Sequence, residues 1–233
     1  MAIKTDKKSA IRQEIIDSAR VYSEKMLVED KHKIIPEGIR HLIKDDFEKT
    51  MNKIKEQTYG TERATNCKVI TIFSNKGGIG KTSIATNLAL ELAKITKENV
   101  ALIDLNFQSG DVTTFLDLKP SFNISYMLEN IEKLNSEFLL STLEKYKETS
   151  LYILADPPYF KQTEKFSLEK ISKLFEVLRN TFSYVIIDTS GGVDNRALKA
   201  LELSDMVLLV TIVNLPALRN CQRCLEMLES LNF

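Results

Sequence analysis

The sequence predicts an α/β fold, with a doubly wound, mainly parallel sheet preceded by a short helical N-terminal extension, and three observations predict it. From Cys67 onward, short apolar runs alternate with helically spaced stretches, the pattern of strands crossing over through helices. The run Met206 to Val213 is hydrophobic throughout, as a central parallel strand should be. A glycine-rich stretch, Lys76-Gly77-Gly78-Ile79-Gly80-Lys81-Thr82, joins the first apolar run to a helical pattern.

Taken in order, residues 1–57 are rich in charge, poor in glycine and spaced as two helices. Ile11, Ile15, Ala19, Tyr22 and Met26 form one stripe; Ile39, Ile43, Phe47, Met51 and Ile54 form a second, with Pro36 placed for a first turn. Such stripes usually face a core, so an extension packed on itself or on the main domain is favoured over a partner-docking element. Thr58 to Asn66 reads as a linker. Strands are then expected at Val69–Phe73, Val100–Asp104, Leu151–Leu154, Tyr184–Asp188 and Met206–Val213. Helices are expected at Thr82–Ile95 and over residues 168–182, where Leu168, Ile171, Phe175, Leu178 and Phe182 make a stripe.

Composition narrows the function classes. The 233 residues suit one main core with an appendage, and 32 basic residues balance 32 acidic ones, which gives no nucleic-acid footprint. Residues 1–14 are charged and lack an apolar signal core, and Met206 to Val213 is too short to cross a bilayer. The expected location is therefore the cytoplasm, with a pole or the inner membrane face reached only through partners. Cys67, Cys221 and Cys224 cannot make a disulfide framework, and Cys221-x-x-Cys224 lacks the second pair of a zinc site. Thiols on an amphipathic helix are the expected reading.

The glycine-rich stretch carries the chemistry. A strand ending at Ser74, a loop with three glycines, and a helix opening at Lys81-Thr82 make the frame of a P-loop NTPase. Gly77, Gly78 and Gly80 let backbone N–H groups converge on phosphate oxygens, and the helix adds its positive end. In this reading Lys76, Gly77, Gly78, Ile79, Gly80, Lys81, Thr82 and Ser83 bind ATP. Lys81 reaches the outer phosphates, and Thr82 puts its hydroxyl on Mg²⁺. Asp104 and Asp188 close apolar strands at their carboxyl ends, where open α/β sheets bind ligands, and are the expected acidic partners of the metal site. The plain alternative is a glycine-rich turn that binds nothing.

Asn75 stands where the usual GxxxxGK[ST] pattern has its first glycine, and Lys76 follows it. Lys76 to Thr82 resembles the deviant Walker A motif of the ParA/MinD superfamily of dimeric ATPases. That resemblance implies an ATP-dependent homodimer in which Lys76 reaches the partner's nucleotide. Asp104-Leu105-Asn106-Phe107-Gln108-Ser109-Gly110-Asp111-Val112, continuing to Leu116-Asp117-Leu118-Lys119-Pro120, looks like the switch region of the CpaE/TadZ pilus-assembly branch. Leu151–Pro158, the helix 168–182, Asp188, Ser204–Val210 and Leu215–Asn220 follow the same branch in order, over roughly residues 67–233. The resemblance implies a localisation or scaffold ATPase for Flp (tight-adherence) pili, with pilus secretion and assembly proteins as partners.

Three departures shape the expectations. Residues 1–66 are too short and too helical for the receiver-like domain that often precedes this domain. The family pattern runs on past residue 233 into further strands and the base-contacting segment, so nucleobase specificity is not legible and one sheet edge is expected to lack a partner. Asn106 occupies a position where the superfamily commonly has the carboxylate that orients the attacking water, which makes Asn106 the third catalytic candidate beside Lys76 and Lys81 and implies slow hydrolysis. The competing readings are a DNA-partitioning or division-site ATPase, for which no basic surface or amphipathic membrane helix is visible, and a nucleotide-gated interaction module without catalysis.

Overall fold

The computed structural model describes residues 67–107, 109–157 and 167–230. The extension and linker expected over residues 1–66 lie outside the described residues. β1 (Lys68–Phe73) leads through the glycine-rich loop into α1 (Lys81–Thr96) and then β2 (Val100–Asp104). Short elements follow: α2 (Val112–Leu116), α3 (Ile124–Glu129), a 3-10 turn (Ile131–Lys133), α4 (Ser136–Thr142) and β3 (Glu144–Lys145). The described chain continues with β4 (Leu151–Leu154), α5 (Leu168–Thr181), β5 (Tyr184–Asp188), α6 (Asn195–Glu202), β6 (Met206–Leu209) and α7 (Leu215–Ser230).

The six strands form one sheet in the order β3-β4-β2-β5-β1-β6. Every pairing from β4 to β6 is parallel, and only β3 runs antiparallel to its neighbour β4. The doubly wound, mainly parallel fold is therefore the one the sequence predicts. Alternating strand residues serve two layers. Val69, Ala101, Ile103, Leu154, Val185 and Ile187 pack with Ile124, Met127, Leu139, Ile171, Phe175 and Leu178 of α3, α4 and α5. The intervening residues Ile70, Ile72, Leu102 and Ile186 are equally buried, and α1 lies against β1, β2 and β5. In α5 the buried stripe is Ile171, Leu174, Phe175 and Leu178, started by Ser167, whose hydroxyl accepts from the Lys170 N–H. Leu168, expected in the stripe, is on the same face but is the first residue of the helix and is exposed.

The sequence reading of β6 needs correction. It places a central strand over Met206–Val213, whereas β6 spans Met206–Leu209, is half-buried and lies at the sheet edge among the described residues. Its partner β1 turns into the glycine-rich loop after Phe73, which pairs with Leu209, so the ladder has nothing further to pair with. The chain instead turns at Asn214, whose side-chain oxygen accepts from the Ala217 N–H at 2.9 Å and starts α7. On α7, Cys224 is buried and Cys221 half-buried, and both thiols are free, as the sequence suggests.

The amino-terminal ends of the strands are tied together by side chains. Arg179, near the end of α5, donates to Asp205 Oδ2 at 2.8 Å and to the Leu203 carbonyl at 2.5 Å. The same carboxylate oxygen accepts from the Val69 N–H at 2.9 Å, and the hydroxyls of Thr71 and Ser204 share a 2.6 Å hydrogen bond. The opposite, carboxyl-terminal ends carry the candidate site.

Candidate functional site

After Phe73 the backbone leaves the sheet through Ser74, whose hydroxyl accepts from the Lys76 N–H at 3.2 Å. Asn75 is fixed by donating its side-chain amide to the Asn220 carbonyl of α7 at 2.9 Å. Gly78 (φ 71°) and Gly80 (φ 93°) lie in the left-handed region, which only glycine enters at little cost. A Cβ at Gly77, Gly78 or Gly80 would meet open space, so the loop presents bare, exposed backbone. Gly80 precedes α1, which has no side-chain cap and no acidic residue in its first turn. Its first N–H groups and positive end are thus left for an anion. The half-buried Ile79 and Ser83 flank this turn.

Two side chains of that turn point into the site. Lys81 is 7% exposed, and its ammonium lies 3.4 Å from the Lys76 carbonyl oxygen. Burial lowers its pKa, and the charge of Asp188 works in the opposite sense. Thr82 donates its hydroxyl to Asp188 Oδ2 at 2.6 Å. Asp188 is fully buried, and its other oxygen, Oδ1, has no hydrogen-bond partner. Burial pushes its pKa up to about 6 against the pull of the Thr82 hydroxyl and Lys81. The side chain of Lys76 shares the same loop and is half-exposed.

Asp104 lies beside Asp188 in the register of β2 and β5 and is likewise fully buried. Its pKa is raised by burial first, then by the charges of Asp188 and Asp156. Both of its oxygens are occupied: Oδ1 accepts from the Asn106 N–H at 2.9 Å and Oδ2 from the Val112 N–H at 3.3 Å. Asp104 thus holds down both ends of the segment that follows β2. Asn106 is turned onto that same segment, donating to the Ser109 carbonyl at 2.7 Å and accepting from the Ser109 N–H at 3.3 Å. The structure therefore brings Thr82 and Asp188 into contact, sets the Lys81 ammonium on the Lys76 carbonyl within the electrostatic reach of Asp188, places Asp104 beside Asp188, and engages Asn106 with its own loop.

Several site residues escape sequence reasoning. Asp156, just after β4, is a half-buried third carboxylate whose pKa is raised mainly by burial. An added Cβ at Gly110 would fall 2.3 Å from Asp156 Cβ and 2.7 Å from Asp104 Oδ2, so only glycine lets the chain pass over these acids. Gly191 packs against the glycine-rich loop, with an added Cβ 2.7 Å from the Gly77 nitrogen. The signal for Asp156 is present in the sequence, since it closes an apolar run as Asp104 and Asp188 do. The approaches of Gly110 and Gly191 leave no local signal.

Among the described residues no trio of His, Cys, Asp or Glu is arranged to hold a metal ion alone. A hard cation at Thr82 and Asp188 would share its shell with phosphate oxygens and water, the usual manner of Mg²⁺. The unpartnered Asp188 Oδ1 and the open face of the loop both fit such a guest. No helix among the described residues is long and apolar enough to cross a membrane.

Comparison with known proteins agrees with this geometry. The AAA-domain family model AAA_31 matches residues 67–232. The septum site-determining protein MinD of Thermotoga maritima is 31% identical over 166 residues, 71% of this chain and 59% of that protein. MinD of Helicobacter pylori is 28% identical over 163 residues, 70% of this chain and 59% of that protein. The chain thus spans about three fifths of the length of these curated relatives. Among solved structures, the MinC:MinD cell division protein complex of Aquifex aeolicus superposes with a TM-score of 0.60 at 27% identity, covering 71% of this chain and 65% of that one. A ParA family ATPase from Chlorobium tepidum shares the fold with a TM-score of 0.66 at 24% identity, covering 70% and 68%. The chain belongs to the AAA_31 family of AAA domains, within the ParA/MinD superfamily of P-loop ATPases.

Proposed function

We propose that this protein is a MgATP-binding ATPase whose ATP-bound form dimerises and positions other cell components, and that it turns ATP over slowly. The observation that carries the reading is the contact of Thr82 with the buried Asp188 beneath an open glycine cradle, with Lys81 buried alongside. In this reading residues 67–233 are the ATPase domain and residues 1–66 a helical extension. The backbone of Gly77 to Lys81, with Ile79 and Ser83 at its flank, holds the phosphates. Thr82 and Asp188 hold Mg²⁺, and Asp104 supports them from the neighbouring strand. The ion supplies positive charge to the phosphate oxygens during phosphoryl transfer.

The residues of the chain divide the remaining work. Lys81 neutralises charge on the outer phosphates from a buried position, where an ammonium counts for more than in bulk solvent. Lys76 supplies the same service to the nucleotide of a second copy. Asn106 can orient a water but cannot take its proton, and its amide is already engaged with Ser109. Slow turnover follows, because positioning and charge remain while general-base help is missing.

The relatives bear names of septum-site determination and cell division, which supports a positioning role. Within that role we favour the localisation of Flp-type pilus assembly proteins, on the resemblance of residues 104–120 to the CpaE/TadZ branch, with the protein at work on the cytoplasmic side of the membrane. A division-site or partitioning role is the second reading, favoured by the MinD relatives. The test is an MgATP titration read simultaneously by molecular size and phosphate release. Lys81→Ala should abolish binding, whereas Lys76→Ala should bind ATP and remain monomeric. Unchanged affinity in a folded Lys81→Ala protein defeats the site assignment, and normal dimerisation of Lys76→Ala defeats the trans role. Deletion in the source cell separates the two biological roles: loss of pili supports the first and misplaced septa the second.

A further inference from the structure

Two segments border the candidate site: residues 105–107 and 109–112 after β2, and residues 189–194 after β5. One side-chain contact joins the first to the helix that continues the second. Phe107, next to Asn106, is 3% exposed and packs in the core with Leu105 and Ile124. The guanidinium carbon of Arg196, in the first turn of α6, stands 4.7 Å from the Phe107 ring centroid, within cation–π range. Arg196 is held there by a fork, with Nε and Nη2 donating to Asp194 Oδ2 at 3.2 and 2.9 Å. The other oxygen of Asp194 caps α6 by accepting from the Ala197 N–H at 2.7 Å. One carboxylate therefore fixes both the start of the helix and the cation over the ring.

Each segment also touches the phosphate site directly. The first is pinned to Asp104 through the Asn106 and Val112 N–H groups. The second passes Gly191 against the backbone of Gly77. We propose that Arg196 is a positioning residue that couples these segments through Phe107, so that a ligand ordering one of them orders the other. The coupling rests on the nucleotide-site reading above for its purpose, although its physical basis does not depend on it. An arginine is suited to this place because its flat cation can stack on the ring while its fork engages Asp194; lysine can supply the charge but not both contacts.

The test uses Arg196→Ala, Arg196→Lys, Phe107→Leu and the double variant Arg196→Ala/Phe107→Leu in the full chain. Amide hydrogen exchange without nucleotide should speed up about five-fold across residues 105–112 in Arg196→Ala, with β1 and α5 unchanged, and Arg196→Lys should fall between Arg196→Ala and the parent. Phe107→Leu keeps an apolar side chain but removes the π face, and the double variant should exchange no faster than either single one. With nucleotide, Arg196→Ala should weaken a non-hydrolysable ATP analogue and ADP alike, each about five-fold, because the Gly191–Gly77 approach lies beneath the phosphates of both. Unchanged exchange over 105–112, additive effects in the double variant, or unchanged affinity for both nucleotides would each overturn the coupling. Failure of the parent to bind any nucleotide would count against the proposed function alone, because the exchange measurements still decide the coupling.

Discussion

Replacing Asp188 by asparagine should make the ligand-free protein more stable while it removes nucleotide affinity. Asp188 is fully buried, keeps one oxygen on the Thr82 hydroxyl and leaves the other without a partner. Burial raises its pKa from an ordinary 3.8 to about 6, so the folded chain holds this proton more tightly than the unfolded chain does. The ionised form is therefore penalised: the cost is fully present above about pH 6 and fades as the pH falls from there to about 4. At about 1.4 kcal/mol per pH unit, the gap amounts to about 3 kcal/mol near pH 7.5 and to about half of that near pH 5. Asparagine is close in shape and carries no charge, so the variant should gain about that much at neutral pH. The chain has no tryptophan, so urea unfolding is best followed by circular dichroism at the two pH values. A variant no more stable than the parent at neutral pH, or a gain that is the same at both, would refute the argument that a penalised carboxylate sits at the site. A gain in stability joined to loss of MgATP binding is the signature of a residue kept for function at the expense of the fold.

Two further perturbations test the surroundings of the site. Gly191→Ala places a Cβ 2.7 Å from the Gly77 nitrogen and 2.8 Å from its Cα, both backbone atoms of the phosphate loop. The loop must shift, at a cost of about 1–3 kcal/mol and with nucleotide affinity falling at least about ten-fold; a titration with a fluorescent ADP analogue that shows unchanged affinity would remove Gly191 from the site. Asn106→Asp loses the donor to the Ser109 carbonyl and introduces a carboxylate, so ATP turnover should rise by about 10²-fold, the lower end of the 10²–10⁴-fold span of general-base catalysis. Brisk phosphate release by the parent, unaltered in Asn106→Asp, would show that another group positions the water.

The parallel strands β1, β2, β4 and β5 are legible in the sequence because each is a short apolar run buried on both faces. The order of the strands is not, since an apolar run such as Met206–Leu209 reads the same at the centre and at the edge. β3 is only Glu144–Lys145, two polar residues recognisable solely by their pairing with Ile153 and Tyr152. α3 and α4 are too brief for helical periodicity to emerge, although Asn123 and Asn135 cap them by accepting from the Tyr126 and Phe138 N–H groups. At the site, Lys81 and Thr82 are legible because a strand, a loop of fixed length and a helix dictate where they sit, and Asp188 because it closes an apolar strand at its carboxyl end. The tie of Asp104 to Val112, the hold of Asn106 on Ser109 and the stacking of Arg196 on Phe107 depend on how loops approach one another in space. No local spacing encodes them.

The Arg179–Asp205 tie at the amino-terminal end of the sheet gives the molecule a fixed foundation opposite its reactive rim. Its partners are largely shielded from water, at 19% and 12% side-chain exposure, and it clasps α5, the start of β1 and the turn before β6. Loops at the far end can then rearrange around a ligand without loosening the strands that carry them, much as the jaws of a vice open on a bolted base. Damage to the two ends should accordingly be separable: Arg179→Ala would lower the melting temperature and spare ligand affinity, whereas Asp188→Asn at the rim would remove ligand affinity without lowering the melting temperature.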